Sequence, residues 1–86
     1  MKHQATPRFW QAFDKLPSEI KRLANKNYAL WRDNPSHPGL QFKKVGRFWS
    51  VRVGLQHRAL GVEAADGTLV WFWIGRHDEY ERLIAA

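Results

Sequence analysis

The apolar residues of this chain follow one period up to Trp31 and another after Leu40. Thr6-Pro7 offers a hydroxyl cap followed by proline at the first helical position. Phe9, Trp10 and Phe13 then recur at helical spacing. Leu16-Pro17-Ser18 interrupts the pattern, and Ser18 or the proline itself restarts it. Ile20, Leu23, Ala24, Asn27 or Tyr28, and Trp31 form the stripe of a second amphipathic helix. Lys15, Lys21, Arg22, Lys26 and Arg32 take its outer positions. Asp33-Asn34-Pro35 and His37-Pro38-Gly39 end it in a loop.

From there the period is two. Leu40, Phe42 and Lys44 alternate with Gln41, Lys43 and Val45, and Gly46-Arg47 reads as a turn. Trp49, Val51 and Val53 share one face of a second strand, with Ser50 and Arg52 on the other. Gly54-Leu55-Gln56 turns the chain into a third strand, His57 to Glu63. Ala65-Asp66-Gly67 has hairpin composition. Leu69 to Ile74, apolar on both faces, reads as a central fourth strand, and His77 to Ala85 as a short terminal helix. Helices followed by strands predict an α+β fold: two N-terminal helices packed on a four-stranded antiparallel sheet, with a short C-terminal helix. Residues 1–86 form a single domain in this reading, and the second face of the sheet is open or half covered. Arg58 shares parity with Leu60 and Val62. Either its strand is bulged near Gln56-His57, or the open face is partly apolar.

Composition sharpens the picture at three points. Lys and Arg number 14 against 8 Asp and Glu, a net charge of +6 that attracts nucleic acid or acidic proteins. Five Trp, five Phe and two Tyr among 86 residues are many for a core of this size to hide. The lack of cysteine excludes disulfides and thiolate metal sites. No apolar run reaches the roughly 18 to 20 residues of a membrane span. The N-terminus has no apolar signal core, so a cytoplasmic chain without a membrane partner is expected.

Candidate chemistry concentrates on the open face. Parity places Lys43 and Arg52 there and allows Trp71 and Trp73 to join them. Cations with aromatic surface suit single-stranded nucleic acid; alternatively, both tryptophans lie under a loop or the last helix. Lys44, Arg76 and His57 extend the list of candidate RNA contacts. The histidines have no metal-site spacing, and the Asp78, Glu79 and Glu81 cluster suits a helix N-terminus, so no metal or other cofactor is expected. RNA carries its own 2′-hydroxyl nucleophile. Its cleavage requires alignment, proton transfer and neutralised phosphoryl charge. Arg52, Arg58, Arg76, His77 and Tyr80 are the residue types for that task.

Four segments in order, ALWRDNPSHPGLQFKKV, FWSVRVG, HRALGV and WFWIGRHDEY, resemble the small toxins of the RelE/ParE superfamily of toxin–antitoxin pairs. The likeness runs from Phe9 to Leu83. It implies the α+β fold and a cognate antitoxin that covers the basic surface, with operator DNA bound only through the antitoxin complex. RelE-like members cleave mRNA on the ribosome without a metal, leaving a cyclic phosphate. ParE-like members poison DNA gyrase instead, so fold alone does not decide function. By resemblance, Arg58 matches the phosphate-stabilising arginine. His77 falls where this superfamily places a catalytic arginine or histidine, and Tyr80 lies near an expected tyrosine. Lys43 and Arg52 match basic sheet positions. His57 departs from the pattern, standing where a tyrosine is usual.

Overall fold

A computed structural model describes residues 2–85 of the chain. Helix α1 spans Pro7–Asp14, and Thr6 caps it, its Oγ1 accepting the Phe9 N–H at 3.1 Å. Helix α2 spans Ser18–Asp33 and starts from Pro17, which offers no side-chain cap. Both helices lie where the 3.6-residue period put them.

The sheet has five strands, not four. They are β1 (His3–Ala5), β2 (Lys43–Val45), β3 (Phe48–Val53), β4 (His57–Glu63) and β5 (Leu69–Arg76), in the order β1-β5-β4-β3-β2. The extra strand is β1, which pairs in parallel with β5 through His3↔Leu69, Gln4↔Val70 and Ala5↔Trp71. Three residues without alternation carry no period to read, and the strand is defined by its partner rather than by its own sequence.

The chain before β2 also departs from the alternating pattern. Pro38–Leu40 is a turn of 3-10 helix in which the His37 ring accepts the Gly39 N–H at 3.1 Å. Gln41 follows in the left-handed region at φ 46°, so pairing starts only at Lys43. Leu40 is still fully buried, as an anchor at the strand entrance rather than a strand residue.

One irregularity decides the faces of the sheet. Leu60 pairs with Trp73 and Gly61 with Trp71, so Phe72 is an extra residue in β5. The bulge sends Trp71 and Trp73 to opposite faces. Gly61 suits this crossing: a Cβ there would lie 3.1 Å from the Val70 carbonyl oxygen and 3.0 Å from the Trp71 ring. The β3–β4 register runs without a shift through Arg52↔Arg58, so no bulge occurs at Gln56-His57. Arg58 therefore lies on the face of Leu60, and that face is partly apolar.

Two clusters result. Trp31, Leu40, Val51, Val53, Ala59, Leu69, Trp71 and Ile74 form the core between the sheet and α1–α2. On the opposite face, Tyr80, Leu83 and Ile84 of helix α3 (His77–Ala85) pack with Phe48, Leu60, Phe72 and Trp73. Complete burial of Leu60 there contributes about 2 kcal/mol. The helix covers the apolar part of this face, and its Tyr80 reaches Arg58.

Candidate functional site

Beside α3, the second face presents Arg58 on β4, with Arg52 of β3 and Gly75 of β5 as its register partners. Arg58 is only 8% exposed. Its Nη1 donates to Ser50 Oγ at 3.1 Å and its Nη2 to Gln41 Oε1 at 2.8 Å. The guanidinium carbon stands 5.2 Å from the centre of the Tyr80 ring. Both hydrogen-bond acceptors are neutral. Among the described residues, no carboxylate forms an ion pair with it. A desolvated charge is ordinarily paired with an opposite one, because burial alone is costly. This one is fixed by neutral groups, so its charge is left free to attract an anion.

Helix α3 brings two more groups to the same place. It starts immediately after β5, and the His77 backbone N–H donates to the Gln56 carbonyl at 2.7 Å, tying its first turn to the end of β4. The His77 and Tyr80 rings stack at 5.3 Å between centroids, with 18° between planes. Tyr80 is buried and its ring meets both His77 and Arg58, whereas His77 is exposed, with Nε2 at 3.3 Å from Glu81 Oε1. The spacing of three residues on a helix accounts for the stack.

Arg52 lies on the same face. Its Nε donates to the Gly54 carbonyl at 2.8 Å, and its own carbonyl accepts from Asn27 Nδ2 at 3.1 Å. Lys43 pairs with Ser50, so it shares this face and is exposed. Arg58, Arg52, Lys43, His77 and Tyr80 are therefore brought together.

The remaining sequence candidates are not. Lys44 pairs with Trp49 and points to the helix side of the sheet. His57 pairs with Val53 and Arg76, which puts both side chains on the helix side too. They line an open cleft of about 780 Å³ at the end of the sheet, between Arg8, Lys15 and Glu19 on the side of the first two helices and Trp73, Gly75 and Glu79. Burial, and secondarily the charge of Arg76, lower the His57 pKa below 6.5. Arg76 is itself 3.6 Å from Asp78 Oδ1. Trp71 and Trp73 are no nucleic-acid platform: Trp71 is 7% exposed in the α1–α2 core and Trp73 is 8% exposed under α3. The bulge at Phe72 breaks the parity that would have placed them together.

Sequence reasoning missed Gln41. It precedes β2 in a left-handed turn where strand parity does not apply, and an uncharged amide in a loop had no chemistry to recommend it. Among the described residues, no three His, Asp or Glu side chains gather as metal ligands would.

The fold matches solved toxins over nearly its whole length. A chain of the RelB–RelE antitoxin–toxin complex from Methanococcus jannaschii superposes with TM-score 0.70 at 14% identity, covering 92% of this chain and 95% of that one. The YoeB/ParE toxin from Agrobacterium tumefaciens gives TM-score 0.65 at 15% identity, covering 90% and 99%. A chain of the RelBE2 toxin–antitoxin complex from Mycobacterium tuberculosis gives 0.63 at 18% identity, covering 88% and 90%. No protein-family model matches the chain, and no curated protein sequence does. The fold is that of the RelE-like toxins.

Proposed function

We propose that this chain is the toxin of a toxin–antitoxin pair and a metal-independent endoribonuclease that cleaves mRNA, on the ribosome, in the cytoplasm. The observation that carries the reading is Arg58: a buried guanidinium held by neutral partners, with Tyr80 packed on it and His77 stacked on Tyr80. In the proposed reaction the 2′-oxygen attacks the adjacent phosphorus. The bond from phosphorus to the 5′-oxygen breaks, giving a cyclic phosphate and a 5′-hydroxyl. Arg58 and Arg52 neutralise the phosphoryl oxygens as charge builds on them. His77, exposed at the start of α3, transfers the proton. Tyr80 is buried, so its part is to hold Arg58 and His77 in register rather than to stack on a base. Lys43 guides the strand along the face. Lys44, His57 and Arg76 contact RNA only where it passes over the rim of the sheet.

The likeness to chains taken from antitoxin–toxin complexes supports a cognate antitoxin as partner. In this proposal operator DNA is reached only through that complex. The test is inducible expression in bacteria without the partner gene, with growth and RNA ends followed together. Growth arrest with new cuts inside translated codons is expected for the wild type and not for folded His77→Ala or Arg58→Ala proteins. Arrest with intact RNA and damaged or supercoil-arrested DNA would replace this reading with a ParE-like action on gyrase. Absence of arrest would indicate an inactive relative that serves only as an antitoxin-binding component.

A further inference from the structure

Gln41 occupies an unusual backbone position to make one contact. It is the non-glycine residue with positive φ among those described, at 46°, and it closes the Pro38–Leu40 turn. Asparagine or glycine would suit that conformation with less strain, but neither reaches as far. From there its Oε1 accepts from Arg58 Nη2 at 2.8 Å, while Ser50 Oγ accepts from Nη1 at 3.1 Å. The amide must present oxygen here, since the guanidinium has only donors. Two acceptors on two nitrogens fix the plane of the fork, and Tyr80 backs it from one side. A carboxylate in place of the amide would orient the fork as well, and would also cancel its charge.

We infer that Gln41 is a positioning residue whose neutral amide aims the Arg58 fork at an RNA phosphate while leaving its charge uncompensated. This rests on the reading of Arg58 as the phosphate-binding arginine. The test measures affinity for a short single-stranded RNA methylated at its 2′-oxygens, which binds without being cleaved. Fluorescence anisotropy at several salt concentrations gives the affinity and its salt slope, and each variant is also melted. Gln41→Glu is expected to melt at or above the wild-type temperature and to bind RNA at least about tenfold more weakly. Its slope of log K against log salt should fall by about 0.7, the value for one phosphate contact on a single strand. Gln41→Gly suits the left-handed backbone. It should melt within a few degrees of wild type, keep the salt slope and lose about three- to tenfold in affinity, because the charge remains but its aim is lost. Lower melting temperatures in both variants with unchanged RNA binding would show a purely structural role and overturn the inference. Arg58→Gln is the benchmark. If it weakens binding while Gln41→Glu binds like wild type, the inference alone fails. If Arg58→Gln leaves affinity and slope unchanged, the phosphate reading fails and takes the inference with it.

Discussion

On the proposed function, Arg58 separates what keeps this protein folded from what lets it act. Replacing it with methionine removes a desolvated charge, which favours the folded state, but strands the buried Ser50 hydroxyl, which costs about 1–3 kcal/mol. These effects oppose each other, so Arg58→Met should unfold within about 1 kcal/mol of wild type in urea while RNA cleavage drops by about a hundredfold or more. A stability loss as large as the activity loss would mean that Arg58 is mainly structural. His57 makes a second test at this scale. Its folded pKa lies below its unfolded value, by burial first and by Arg76 second. The folded state therefore resists protonation more than the unfolded chain does. The stability contributed by neutral His57 is complete above pH 6.5 and is lost as pH falls through the folded pKa. An NMR titration of the His57 ring should show a midpoint below 6.5, and Arg76→Gln should raise that midpoint without restoring it fully, since burial remains. The residue types at the site were legible: an arginine, a histidine and a tyrosine stood out by chemistry. What held them was not, because Gln41 and Ser50 matter through distances that no spacing rule contains.

The two helices, β3, β4 and α3 were readable because each carries its own period and its own stop signal. Strand β1 and the bulge in β5 were not, since both are set by neighbours. The bulge had the larger consequence: one extra residue, Phe72, changed which face received Trp73. It also makes Gly75 critical. A Cβ at Gly75 would come within 2.5 Å of the Trp73 ring, which lies across this glycine and packs in the cluster with Leu60 and Tyr80. Gly75→Ala must therefore push the indole toward α3. A destabilisation of about 1–3 kcal/mol is expected from such overpacking. The displacement should pass from Trp73 to Tyr80, so catalysis should fall although no group proposed for the chemistry has changed. Chemical denaturation, tryptophan fluorescence and a cleavage assay on one sample would check this. Wild-type stability with unaltered fluorescence would mean that the indole has free room that the packing does not show.

At the scale of the whole molecule, a net charge of +6 attracts polyanions without saying which cations touch them. The two faces of the sheet divide the possibilities. Lys43, Arg52 and Arg58 belong to the face of α3, whereas Arg8, Lys15, His57 and Arg76 line the cleft at the end of the sheet, among Glu19 and Glu79. In that cleft the carboxylates offset much of the attraction, and Arg76 is already close to Asp78. The face of α3 has the less compensated charge around Arg58, so a short single strand should lie there. Three phosphate contacts imply a slope of log K against log salt of about −2 for single-stranded RNA. Lys43→Gln should reduce its magnitude by about 0.7 and weaken binding about equally for all sequences, because a lysine on a phosphate carries no base information. The same experiment with Lys15→Gln should leave the slope unchanged. If Lys15→Gln flattens it and Lys43→Gln does not, the strand follows the cleft at the sheet end, and Arg58 must find its anion in some other ligand.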